Sequence, residues 1–231
     1  MTAPRILVVP GGTAISAVAL ANASIHKLVE LYEERQADPN HPAPHTVVFL
    51  RDPALVPPAT LRGSAATPEQ AFPEEDYPGL ANQIKDDPHF FDGVDLVIST
   101  SGSSAGKPRL VGLSMDALMA SLKATELALD GPGRWILALP THHIAGAMIR
   151  LRAAVAETNP QVVDTTNGFD PRDLLPAIRG VTQDEMPGYL SLVPTQLVQC
   201  LDAGEEVVGA MRSLSAVLVG GAAISQHLLE R

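Results

Sequence analysis

Eleven residues from Ser99 to Arg109, STSGSSAGKPR, hold five hydroxyls, two glycines and two cations directly behind the apolar run DLVIS. Three chemistries could use such a set. Gly102-Ser-Ser-Ala-Gly106 matches G-x-S-x-G, which would make Ser104 a nucleophile on a strand-to-helix elbow. An elbow must run into a helix, yet Lys107-Pro108 is followed by Arg-Leu-Val-Gly-Leu113, which reads as an extended return strand. Gly106-Lys107 looks like the end of a Walker loop, but the spacing from Gly102 is one residue short. Pro108 also stands where a hydroxyl would hold Mg²⁺. In the third reading the glycines let backbone approach oxygen closely and the hydroxyls donate to anionic oxygens. Lys107 and Arg109 add positive charge, so the stretch could fold over the polyphosphate of ATP. On composition alone a solvated Ser/Gly turn serves as well as any of these.

Other reactive side chains are few. His142 and His143 are adjacent and lack the i, i+4 spacing of a helical metal pair, so zinc is discounted and a polar turn is the plain alternative. A hydrolase built on Ser104 could draw on Asp130 and His143, which fit the chain order of a triad. Cys200 is the only cysteine; it reads as a small buried helix residue, excludes an intramolecular disulfide and suits a reducing, cytoplasmic compartment.

These groups need a scaffold, and 231 residues with 45% hydrophobic and 4% aromatic content suffice for a core of Ala, Val, Leu and Ile. A net charge of -10 argues against a nucleic-acid partner without excluding a nucleotide. No run is long enough for a membrane span. Arg5, an apolar segment and Ala-Asn-Ala23 imitate a secretory signal, but Pro10-Gly11-Gly12 breaks the segment into a strand, a turn and a helix.

Short aliphatic runs predict strands at Arg5–Val9, Thr46–Leu50, Leu96–Ser99, Trp135–Leu139, Gln161–Val163, Leu190–Val193 and Ala216–Val219. Helical patterns separate most of them. Ser114 caps MDALMASLKATELAL, which Asp130-Gly-Pro-Gly133 stops, and Asp170-Pro171 opens another helix. Alternation of this kind predicts an α/β fold with layered, mostly parallel sheets flanked by helices and ligands beyond the carboxyl ends of the strands. The proline-rich stretch from Ala37 to Gly79 reads as a connector, and a boundary is expected near Asp92-Gly93, giving subdomains 1–92 and 93–231.

TSGSSAGKPR resembles the signature T-S-G-S/T-T-G-x-P-K of the adenylate-forming superfamily of acyl-CoA synthetases. Ala105 looks like a one-residue insertion, and Arg109 replaces the usual lysine. Three more segments come after it in the family's order. Leu139-Pro-Thr-His-His-Ile-Ala-Gly146 resembles L-P-x-x-H-x-x-G, Leu192-Val-Pro-Thr195 resembles the V-P-T segment, and Val219-Gly-Gly-Ala-Ala223 resembles the glycine-rich adenine turn. The doubled histidine and V-P-T-Q-L are most similar to the o-succinylbenzoate–CoA ligase family of menaquinone biosynthesis, over about Asp95 to the end.

The resemblance implies an ATP-dependent acid–CoA ligase with ATP, Mg²⁺ and coenzyme A as substrates or cofactors, a small carboxylic acid as partner, and a homo-oligomer left open. It places Thr100, Ser101, Gly102, Ser103, Ser104, Gly106, Lys107 and Arg109 at the phosphates and makes His143 the catalytic residue near the reacting carboxylate. His142, Gly146, Thr195, Gly220, Gly221 and Ala222 would line the adenine and acyl pockets, and no residue of these 231 is assigned to a metal. The family's later motifs, for magnesium, ribose and the adenylation lysine, do not occur in residues 224–231. The chain is therefore expected to be an N-terminal portion lacking the mobile C-terminal domain and inactive as a ligase alone. A noncatalytic binding module is the alternative.

Overall fold

The computed structural model describes residues 4–38, 45–55, 65–100, 109–183 and 185–230. In chain order the strands are β1 (Arg5–Pro10), β2 (Thr46–Arg51), β3 (Leu96–Thr100), β4 (Arg109–Leu113), β5 (Arg134–Leu137), β6 (Gln161–Val162), β7 (Gly188–Leu192) and β8 (Ala216–Val219). The helices are α1 (Ile15–Ala37), α2 (Pro68–Ala71), α3 (Leu80–Asp86), α4 (Met115–Ala128), α5 (Ile144–Val155), α6 (Leu174–Val181), α7 (Pro194–Asp202), α8 (Glu205–Met211) and α9 (Gln226–Leu229).

Among the described residues the strands form two four-stranded sheets, ordered β1-β2-β3-β4 and β6-β5-β7-β8. Of these strand pairs only β3–β4 is antiparallel. The aliphatic runs have the composition such sheets require, because a parallel strand covered on both faces has no polar side to show. β2, TVVFLR, is buried at every position.

One face of the first sheet, through Val48, Leu50, Leu96 and Ile98, packs on Ala21, Ile25 and Leu28 of α1, Met115 and Leu118 of α4, and Ala147 and Leu151 of α5. Its other face meets Phe72, Tyr77, Ile84 and Phe91. In the second sheet Trp135, Leu137 and Tyr189 pack on Val18 and Ile149, so α1 and α5 are shared between the sheets. The outer face, with Ile136, Leu190 and Leu192, is covered by Leu174, Ile178, Cys200 and Val207. The result is five layers: helices, sheet, helices, sheet, helices. No helix among the described residues is long and apolar enough to cross a membrane.

Local chemistry sets several ends. Ser114 Oγ accepts from Ala117 N–H at 3.2 Å, capping α4 as its sequence requires. Asp170 accepts from Arg172 N–H at 2.9 Å, but the segment it opens, Pro171–Asp173, is a 3₁₀ turn, and α6 begins only at Leu174. The division expected at Asp92-Gly93 does not separate the sheets. β3 and β4 lie beyond it and complete the sheet begun by β1 and β2, so the chain changes sheets between β4 and β5. Sheet membership depends on β2–β3 pairing across the segment that holds α2 and α3, and the composition of that segment does not encode the pairing.

Candidate active site

Parallel strands deliver their carboxyl ends to one edge, and here the two sheets bring those edges together. β1 is the point of contact. Gly11 comes directly after it and lies so close to the end of β5 that a Cβ on Gly11 would stand 2.3 Å from His142 Cβ and 2.5 Å from His142 N. Gly12 has φ +107°, which glycine adopts freely. Its carbonyl accepts from both Thr141 N–H and Thr141 Oγ1, each at 3.2 Å. Thr13, 2% exposed, reaches the end of β6: Thr165 N–H donates to Thr13 Oγ1 at 2.8 Å, with Asp164 Oδ1 3.4 Å away.

His142 and His143 occupy the turn between β5 and α5 but differ in environment. His142 is 8% exposed, and its Nδ1 has no hydrogen-bond partner among the described residues. Burial holds its pKa below the ordinary value, the neighbouring His143 pushes the same way, and Asp52 beyond β2 opposes them. His143 is exposed and serves as N-cap of α5 without a side-chain bond to it. The two rings lie 4.4 Å apart, centre to centre. Gly146 is buried in the first turn of α5, where a Cβ would meet Pro140 O at 2.3 Å, so its smallness lets the helix sit directly on the strand end.

The neighbouring strands complete the edge. At the end of β7, Gln196 accepts from Val193 N–H at 3.1 Å and donates to Ala138 O at 3.2 Å, tying β7 to β5. Thr195, between Pro194 and inward-turned Gln196, is exposed. At the end of β8 Gly220 and Gly221 turn beside Val193, Gly221 with φ +83°, and Gly220, Gly221 and Ala222 are all exposed. The second sheet therefore gathers His142, His143, Gly146, Thr195, Gly220, Gly221 and Ala222 on one edge, in the strand order β5-β7-β8.

On the first sheet, Thr100 ends β3 opposite Arg109, which starts β4, and Thr100 Oγ1 donates to Arg109 O at 3.4 Å. Because β3 runs parallel to β2, and β2 to β1, Thr100 lies on the same carboxyl edge as Gly11. Ser101, Gly102, Ser103, Ser104, Gly106 and Lys107 lie outside the described residues. After Pro108 the chain enters strand β4 instead of a helix, so the context of a nucleophile elbow or a Walker loop is missing.

Cys200 is fully buried, and burial pushes its thiol up to about 11, as an inert core residue requires. Among the described residues no group of three or more His, Cys, Asp or Glu is placed to hold a metal ion. A cavity of about 370 Å³ lined by Ile6, Ile84, Phe90 and Phe91 lies near the amino end of β1, away from this edge. The sequence motifs did not reveal Thr13, Asp164 or Thr165, and they gave Gly11 only as a turn and Gln196 only as part of V-P-T-Q-L. Their signal is positional, since most of them come directly after strands.

A family model described as AMP-binding enzyme matches residues 5–231. A probable 2-succinylbenzoate–CoA ligase of Mycobacterium tuberculosis is 33% identical over 189 residues, covering 82% of this chain and 44% of that protein. A 2-succinylbenzoate–CoA ligase of Staphylococcus epidermidis is 29% identical over 142 residues, covering 61% and 28%. The o-succinylbenzoate coenzyme A synthetase of Bacillus subtilis, solved with ATP and magnesium ion, shares the fold. Its TM-score is 0.54 at 18% identity, over 98% of this chain and 54% of that one. The chain spans about half the length of the relatives it matches.

Proposed function

Because the chain belongs to the AMP-binding enzyme family, we propose that it supplies ATP- and acid-binding surfaces of an acid–CoA ligase that joins o-succinylbenzoate to coenzyme A for menaquinone synthesis. Support for the acid comes from the named relatives, 2-succinylbenzoate–CoA ligases of two genera. The observation that carries the nucleotide reading is the antiparallel pairing of Thr100 with Arg109 at the carboxyl edge. That pairing returns the chain as a strand and sets a cation beside the loop, which suits a grip on phosphates better than an elbow or a Walker turn.

In the first half-reaction a carboxylate oxygen attacks the α-phosphorus of MgATP, and pyrophosphate leaves with the electrons of the broken P–O bond. Magnesium enters with ATP as the substrate complex. Two anions must meet, so Lys107, Arg109 and the hydroxyls of residues 100–104 serve to neutralise and hold the phosphates. In the second half-reaction the thiol of coenzyme A attacks the acyl carbon, losing its proton, and AMP departs. His143, exposed beside buried His142, would touch the acid; Gly220, Gly221 and Ala222 would offer backbone to adenine.

Calorimetric titration of the 231-residue chain with MgATP and with o-succinylbenzoate tests this reading. Saturable binding of both is expected. Lys107→Ala or Arg109→Ala should weaken ATP by about 10-fold or more, the loss of one charge-assisted hydrogen bond, and His143→Ala should weaken the acid alone. Absence of saturable binding, or ATP affinity indifferent to both cations, refutes it. Acid-dependent ATP–pyrophosphate exchange by the chain separates a catalyst from a binding module.

A further inference from the structure

One ring nitrogen of His142 is buried against the turn after β1 without a hydrogen bond among the described residues. That nitrogen, Nδ1, would stand 2.7 Å from a Cβ at Gly11, and the ring of His143 lies 4.4 Å from that of His142, centre to centre. The placement of the imidazole therefore depends on the placement of Gly11. Gly11 and Gly12 have no side chains with which to anchor themselves, so their turn is fixed from its flanks. On one side Gly11 N–H donates to Arg51 O at 2.7 Å, within the first sheet. Across the sheets Gly12 O accepts from Thr141, and Thr13 Oγ1 meets the end of β6.

Thr13 carries the side chain by which the turn reaches β6. Its oxygen accepts from Thr165 N–H at 2.8 Å and lies 3.0 Å from Thr165 Oγ1 and 3.4 Å from Asp164 Oδ1. Asp164 is itself fixed, accepting from Thr166 N–H at 2.9 Å. Thr13 is thus a buried hydroxyl with an amide donor and two oxygen neighbours, bridging residues 151 and 152 positions apart in sequence.

We propose that Thr13 is a positioning residue of the acid-binding site: its hydroxyl ties the turn after β1 to the end of β6 and so keeps Gly11 seated against His142. The acid-binding role rests on the functional reading above; the tie and its effect on the imidazole do not. Two ionisable neighbours also act on the ring, Asp52 from beyond β2 and His143 beside it, and neither is altered by a substitution at Thr13.

The test uses Thr13→Val, which keeps the shape and removes the hydroxyl, and Thr13→Ser, which keeps the hydroxyl. His142 is followed by NMR titration of its imidazole in the full chain, and o-succinylbenzoate and MgATP affinities by calorimetry. In Thr13→Val the His142 midpoint should rise towards that of free imidazole. Acid affinity should fall measurably, by up to about 10-fold, the limit set by losing the whole of the tie's one amide hydrogen bond, while ATP affinity is unchanged. Thr13→Ser should restore both. An unaltered His142 titration in Thr13→Val overturns the proposal, as does equal loss of acid and ATP affinity or a failure of serine to restore. If the wild-type chain binds no acid, the ligase reading fails, and the His142 titration still decides whether the tie exists. Should Thr13→Val not fold, Asp164→Ala on the exposed side of the same tie is read in the same way, with the smaller rise and acid loss expected from loosening one partner.

Discussion

Replacing Gly146 by alanine sets two opposed effects against each other, and the structure says which wins. Within a helix, alanine is favoured over glycine by about 1 kcal/mol. At Gly146, however, the added Cβ would stand 2.3 Å from Pro140 O and 2.7 Å from Leu139 O, at least 0.7 Å inside the 3.4 Å at which ordinary contact begins. Neither oxygen can swing aside. Both belong to backbone, and Pro140 O already accepts from His143 N–H at 3.1 Å. Relief must come from lifting α5, which is packed between the two sheets through Ala147, Ile149 and Leu151. Overpacking that must move backbone lies at or above the upper part of the usual range of about 1–3 kcal/mol, so a cost of about 2–4 kcal/mol less the gain of about 1 kcal/mol leaves a net loss of about 1–3 kcal/mol. For a chain of this size each kcal/mol is about 2–4 °C in Tm, giving a fall of about 2–12 °C. Gly209→Ala in α8 is the control: that glycine is exposed, and its Cβ would find nothing nearer than Glu205 Oε1 at 3.8 Å. The same substitution should therefore raise Tm there by about 2–4 °C. Calorimetric or circular-dichroism melts of both variants beside the wild type decide it. A Gly146→Ala protein that melts at or above the wild type refutes the argument that this glycine exists to seat α5 on the end of β5.

Three further outcomes concern buried groups. Cys200, fully buried with its thiol pushed up to about 11, should react with a thiol reagent at pH 8 only on unfolding; prompt stoichiometric labelling of the native chain would contradict its core placement. Asp95, 5% exposed, accepts from Met115 N–H at 2.7 Å and from Arg35 Nη2 at 2.9 Å, so Asp95→Ala leaves a buried amide and a guanidinium without it. A loss of about 2–3 kcal/mol in urea unfolding is expected, and a change under 0.5 kcal/mol would rule out that role. His142 has a folded pKa below its ordinary 6.5, so below pH 6.5 the unfolded chain binds the extra proton first and stability falls as pH drops, until folded His142 also protonates. His142→Gln should flatten that part of the pH–stability curve, and an identical slope in the variant would deny His142 its share of the acid sensitivity.

The strands and the chemistry were legible to different degrees. All seven expected strands form within a few residues of their predicted bounds, because a strand buried on both faces must be written as a short aliphatic run. The return strand after Pro108 was equally readable and is the feature that separates the phosphate-grip reading from the two strand-to-helix alternatives. Sheet membership was not, since the partner of β3 is chosen by β2 across a connector whose composition says nothing of pairing. The same divide runs through the site. Histidine pairs, V-P-T and Gly-Gly are local strings and can be recognised. Thr13 is one threonine among many until the fold sets it 2.8 Å from an amide 152 residues away.

That difference has a physical cause that bears on how the site works. Groups that touch a ligand must have particular chemistry at particular spacing, so they leave a motif. A group that only holds another in place needs one hydrogen bond and a fixed distance, which any hydroxyl at the right point of the fold can supply. His142 makes the dependence concrete. With Nδ1 unpartnered among the described residues, its ring rests against a glycine that comes after a strand of one sheet and a histidine that comes after a strand of the other. An imidazole held in that way keeps its geometry only while the two sheet edges keep theirs. The contacts that fasten those edges, Gly12 to Thr141 and Thr13 to Thr165, are therefore as much a condition of the proposed acid site as the histidines themselves.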